Sequence, residues 1–139
     1  MKIALVPSVA VVFAFAFASA GCGAPVRNTP IDDIPKLTSL DEVMDNQATI
    51  ADPQMGKAGE TSYTDADWTA FAAVSSRIQA TAKKTKDFSK GPEFDGFADK
   101  LAEKAKALGD AASAKDVAKA SAALGEMKAT CKGCHSKFR

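Results

Sequence analysis

Apolar residues recur at helical spacing along most of this chain, and nowhere do they alternate as in a strand. From about Thr38 the pattern resolves into four amphipathic stretches. In the first, Leu40, Val43, Met44, Gln47 and Ile50 fall on one stripe, and Ser39 and Glu42 have capping-box spacing. This predicts a helix over 39–51. Asp52-Pro53 ends it, because proline disfavours helix in the residue before it. Gly56 and Gly59 mark a loop over 53–63. A second helix is predicted after Thr64, with Asp67 three residues on. Its buried face holds Trp68, Phe71, Val74, Ser75, Ile78 and Ala82, and it ends near Lys86. Lys90-Gly91-Pro92 breaks the chain and puts proline at a first helical position. The third helix carries Phe94, Phe97, Ala98, Leu101, Ala105 and Leu108, with Gly109 closing it. The fourth starts near Ser113 and runs through Val117, Ala120, Ser121, Leu124 and Cys131 to the end.

Four amphipathic helices with short turns pack most simply as an all-α, antiparallel up-down four-helix bundle over 38–139. Helices three and four use alanine where a dry bundle would use leucine or isoleucine. Small residues either leave room for an occupant or let helices approach closely, and composition does not separate the two.

The N-terminus has a different pattern. "MKIALVPSVAVVFAFAFASAGC" opens with Lys2, continues apolar from Ile3 to Ala18, and ends in small residues. This is the layout of a secretory signal, over 1–21. Pro7 and Ser8 interrupt a run that is already near the lower limit for a membrane span. Ala18-Ser19-Ala20 suits ordinary signal removal. Ser19-Ala20-Gly21-Cys22 also resembles the lipobox of bacterial lipoproteins, in which the cysteine is lipidated and becomes the first mature residue. Ser19 stands where leucine is usual. Three cysteines are an odd number, and Cys22 is the one left over if Cys131 and Cys134 act together. The expectation is a protein in the periplasm, or otherwise outside the cytoplasmic membrane, held to the membrane through Cys22. Residues 22–37, with Pro25, Pro30 and Pro35, read as a tether.

Charge adds little globally. Lys+Arg total 18 and Asp+Glu 17, a balance that argues against a nucleic-acid partner. Locally, Lys128, Lys132, Lys137 and Arg139 occur with no acid between them, as a basic rim or as solvated helix charges.

The last residues carry the chemistry. "CKGCH" places Cys131, Cys134 and His135 at i, i+3 and i+4, on one helical face. This is the spacing of covalent haem attachment. Each thiol can add to one haem vinyl group, and the imidazole can reach the iron from that side. Zinc wants four ligands, and the chain has no histidine beyond His135. A thioredoxin-like dithiol would follow a strand and open a helix. A disulfide at this spacing on a helix would be strained. With one histidine, no Ser-His-Asp set remains for an enzyme once His135 is used.

A haem motif on the last helix of a four-helix pattern resembles the class II cytochromes c, the group that includes cytochrome c-prime. "CKGCHSKFR" is similar to that family's ending, with a basic residue four after the histidine. The resemblance implies one haem c with its iron, bonded through Cys131 and Cys134, with His135 as proximal ligand. It implies Arg139 beside that histidine, and a first helix over the distal face. The low-spin members have a methionine ligand on that helix, in a setting similar to Met44 in "DEVMDN". A Met44 ligand implies one-electron transfer with redox partner proteins. An open sixth position implies binding of nitric oxide or carbon monoxide instead. A homodimer is compatible with either.

Replacement of the leftover thiol tests the anchor. Cys22→Ser is expected to release protein from the membrane fraction into the periplasm or medium, read by fractionation and immunoblotting. A native protein that is already soluble and begins at Gly21 would show that Cys22 carries no lipid.

Overall fold

A computed structural model of the chain describes residues 28–139. The signal read over 1–21 and Cys22 lie outside the described residues. Four long helices follow one another: α1 (Leu40–Met55), α2 (Asp65–Thr85), α3 (Pro92–Ala114) and α4 (Val117–Phe138). They pack as an antiparallel up-down bundle, with no strand among the described residues. α1 lies on α2, α2 on α3 and α3 on α4, while α1 and α4 touch only sparingly.

The helix starts follow local chemistry. Ser39 caps α1 by accepting the Glu42 N–H at 3.2 Å. The Glu42 carboxylate reaches back one residue further than a capping box requires, to the Thr38 N–H at 2.9 Å. Thr64 and Asp67 form a complete capping box on α2. Gly91, at φ 114°, takes a conformation that side chains avoid and hands the chain to Pro92.

Three boundaries differ from the sequence expectation. α1 continues past Asp52-Pro53 to Met55. Proline sits in the last turn, where its missing N–H removes a single helical bond, and the Gly56 N–H closes the end on the Asp52 carbonyl at 3.3 Å. α3 continues through Gly109 to Ala114 and stops at Lys115, the one non-glycine residue with positive φ among those described. α4 therefore begins at Val117, where Asp116 accepts the Lys119 N–H at 3.0 Å, and Ser113 belongs to α3. Gly109 is not a stop signal. A Cβ there would lie 2.4 Å from Ser75 Oγ of α2. Glycine in mid-helix costs about 1 kcal/mol in chain entropy, and close approach of α2 outweighs it.

The second half of the expected tether is docked. Ile31–Lys36 form a 3-10 turn whose Ile34 is 1% exposed. The Thr29 N–H donates to Asn46 Oδ1 at 2.9 Å, and Arg77 donates to the Thr29 carbonyl. This strap packs against α2.

The core holds Phe71, Val74, Ile78, Leu108, Leu124 and Met127, each nearly or fully buried. Burial of one such side chain contributes about 1.5–3 kcal/mol. Tyr63, Trp68 and Phe71 meet edge to face, with ring centroids 4.9–5.7 Å apart, where α2 begins. Ala98, Ala105, Ala112, Ala120 and Ala123 are buried on α3 and α4. Most of these alanines serve close helix approach, and the larger space lies along the α1–α4 seam.

The Ser75–Gly109 contact is testable. Gly109→Ala is expected to lower the unfolding free energy by about 1–3 kcal/mol, the usual range for overpacking. Adding Ser75→Gly, which removes the obstructing side chain, is expected to recover part of the loss in denaturant titrations.

Candidate cofactor cleft

The seam between α1 and α4 opens into a cleft of about 1180 Å³. Its α4 wall carries Met127, Cys131, Cys134 and His135. Its α1 wall carries Leu40, Met44, Gln47, Ala48, Ala51 and Met55. Ile78 and Leu101 reach in from α2 and α3, and Phe94 and Phe138 stand at one end. The helical register thus brings both motif thiols and the imidazole to one wall.

Cys131 and Cys134 are free thiols. Cys131 packs against the hydrophobic core and is half-buried, while His135 is exposed. Burial pushes the Cys131 thiol up to about 11, with the Asp52 carboxylate and Cys134 adding to the effect. Burial also raises Cys134, and Lys90 pulls it the other way. Among the described residues, no three His, Cys, Asp or Glu side chains gather as a bare metal ion would need.

Met44 is half-buried and lines the cleft on α1, opposite the motif wall. It has company that the sequence placed differently. The sequence pattern puts Met55 in the loop over 53–63. It ends α1 instead, 7% exposed, as a second thioether on that wall. Met127 is fully buried on the motif's own helix. Arg139 is exposed and lines the cleft mouth, where its backbone N–H donates to the His135 carbonyl at 3.3 Å. Lys128 and Lys132 share that rim, joined by Lys90. Lys137 is drawn away into an ion pair with Glu93. Asp41, Asp45 and Asp52 stand on the α1 side, so the mouth is basic on one side and acidic on the other.

Sequence reading missed what holds the motif in place. Phe138 packs edge to face on Phe94 at 5.3 Å and on Phe97 at 6.3 Å. The Lys90 ammonium donates to the Phe138 carbonyl at 3.0 Å. Gly133, inside the motif, faces Phe97, whose ring carbon would lie 3.1 Å from an added Cβ. Three phenylalanines spaced along two helices were legible, but their convergence was not.

Two free thiols and an imidazole on one face, opposite a largely apolar helix, fit a flat macrocycle bonded to the protein at its edge and through its metal. The fold and the cleft together define a four-helix-bundle haem protein. A family model described as cytochrome C' matches residues 37–139, and the chain belongs to that family. It therefore carries covalently bound haem c with its iron. The chain is 44% identical over 70 residues to "Cytochrome c'" of Pararhodospirillum photometricum, an alignment that covers 50% of this chain and 56% of that protein. The match thus spans little more than half of that relative's length. No solved structure matches the chain. Cytochromes c' are periplasmic in general. No helix among the described residues is long and apolar enough to cross a membrane.

Phe138→Ala is expected to loosen the end of α4. Two ring pairs, at about 0.5–1.5 kcal/mol each, put the loss near 1–3 kcal/mol. Amide hydrogen exchange should speed up over the last turn of α4 and stay unchanged in the middle of α2.

Proposed function

We propose that this protein is an exported haem c protein that binds a small neutral gas, nitric oxide or carbon monoxide, at the iron face turned toward α1. Cys131 and Cys134 hold the ring through thioethers, and His135 is the proximal ligand. When bound, the haem would supply an iron centre able to take a diatomic gas.

One observation carries the reading. The wall across from the motif offers no nitrogen ligand, because the chain's one histidine is His135. What stands there is a half-buried thioether, Met44, among Ala48, Ala51 and Met55. Such a wall admits a gas and sets against it one soft thioether at its middle. The family match to cytochrome c' supports the same reading. Arg139 acts from the rim, beside the proximal side. Export, with Cys22 as the lipid site, belongs to this proposal.

A second reading has its own support. Met44 is the cleft-lining thioether in the middle of α1, and a thioether paired with histidine raises the reduction potential. With Met44 on the iron, the protein would transfer single electrons between redox partner proteins.

Spectra of the holoprotein separate the two. Mass spectrometry after denaturation should give the polypeptide plus one haem, and Cys131→Ser or Cys134→Ser should leave a single thioether. The ferrous protein is expected to be high-spin and to bind carbon monoxide, with Met44→Ala changing its affinity by less than about tenfold, or 1.4 kcal/mol. A low-spin oxidised spectrum with a sulfur-to-iron charge-transfer band, lost in Met44→Ala, would replace this proposal by the electron-transfer reading.

A further inference from the structure

A histidine on a metal is usually oriented by a hydrogen bond to its other ring nitrogen. The His135 side chain is exposed, lines the cleft and makes no such bond among the described residues. The backbone of the last α4 turn is what remains to aim the ring. Whatever holds that turn therefore sets where the imidazole points.

The carbonyls of a last helical turn lack partners within the helix. The Arg139 N–H reaches the His135 carbonyl at 3.3 Å. The Lys90 ammonium takes the Phe138 carbonyl at 3.0 Å. Lys90 stands just before α3, so its bond ties the end of α4 to a separate part of the fold. The same ammonium lies 5.9 Å from the centre of the Phe94 ring, on which Phe138 packs. Lys90 also lines the cleft, near enough for its charge to act on the Cys134 thiol beside His135. The other polar tie to this turn, Lys137 with Glu93, joins two side chains that are each at least half exposed, and such pairs contribute little.

We infer that Lys90 is a positioning residue for the iron's histidine: by holding the Phe138 carbonyl it fixes the last turn of α4, and with it the direction of the His135 imidazole. The inference rests on His135 as the proximal ligand, which both readings above share.

Resonance Raman spectroscopy of the ferrous holoprotein reads the iron–histidine bond. Lys90→Met removes the tie, so the ring samples several directions. The iron–histidine stretch is expected to move to lower wavenumber and to broaden. Lys90→Arg keeps a long cationic donor and should restore the band. An unmoved band in Lys90→Met, with only faster amide exchange at the end of α4, would overturn the inference and leave Lys90 as a staple. Charge acting through space is the rival cause. His135→Gly supplied with free imidazole separates the two, because that ring is not tied to the backbone. There Lys90→Met should leave the band in place, and an equal shift would overturn positioning. A band that survives in His135→Gly without added imidazole would show that another group holds the iron, and the proximal-ligand reading would fall together with the inference. If Lys90→Met yields no holoprotein, Lys90→Gln is judged by the same band. If the ferrous iron is six-coordinate, the haem methyl proton shifts of the oxidised protein report the imidazole plane instead. An unchanged spread of those shifts in Lys90→Met overturns the inference.

Discussion

Helix spacing is the constraint from which the rest of this molecule follows. α2, α3 and α4 are drawn close by small residues, and Ser75 against Gly109 is the tightest such approach. Buried alanines on α3 and α4 let two backbones meet where leucines would hold them apart. A bundle of four equal helices would close evenly. Here α1 is held by α2, and the larger space lies at the seam between α1 and α4, which touch least. The cleft is thus a product of tight packing elsewhere.

A haem-binding wall must also keep its register. α4 is fixed at both ends by different means. At its start, Asp116 caps the helix after an abrupt left-handed turn at Lys115. At its end, Phe138 sits among Phe94 and Phe97, and Lys90 takes up a carbonyl that the helix leaves unpaired. The motif lies within the last two turns, where an unanchored helix would fray. α1 has its own support in the strap at 28–37, which reaches it through Asn46 and reaches α2 through Arg77 and Ile34. Both walls are therefore braced, α4 by residues at the end and rim of the cleft and α1 by a strap that lies outside its lining.

That lining divides by function. Burial raises both motif thiols above the ordinary cysteine value. The opposite wall presents Leu40, Met44, Ala48, Ala51 and Met55, with Asp41, Asp45 and Asp52 beside them. Into it the fold inserts one amide, tied by a threonine whose hydroxyl is already committed. A buried amide without partners would cost about 1–3 kcal/mol, so its partial satisfaction by Thr85 makes it tolerable where it sits.

Much of this was legible in the residues alone. The 3.6-residue period of apolar positions defined four helices, because one face of each must leave water. Cys131, Cys134 and His135 declared their cofactor through spacing, since any helix aligns i, i+3 and i+4. Thr64 with Asp67 and Gly91 with Pro92 announced helix starts through strictly local bonds. Other features depended on contacts between distant parts of the chain. Gly109 read as a stop, yet it is a contact, because only the arrival of Ser75 explains a missing side chain there. Pro53 read as an end, but loss of one bond in a final turn is outweighed by burial of Met55. Residues 28–37 read as a loose tether until Ile34 found a place on α2. Gln47 read as one more position on a stripe, and only the approach of Thr85 gave its amide a direction. Sequence determined what lies within a few bonds of each residue. Tertiary structure decided the rest, because steric exclusion and hydrogen-bond partnership between helices have no signature along a single one.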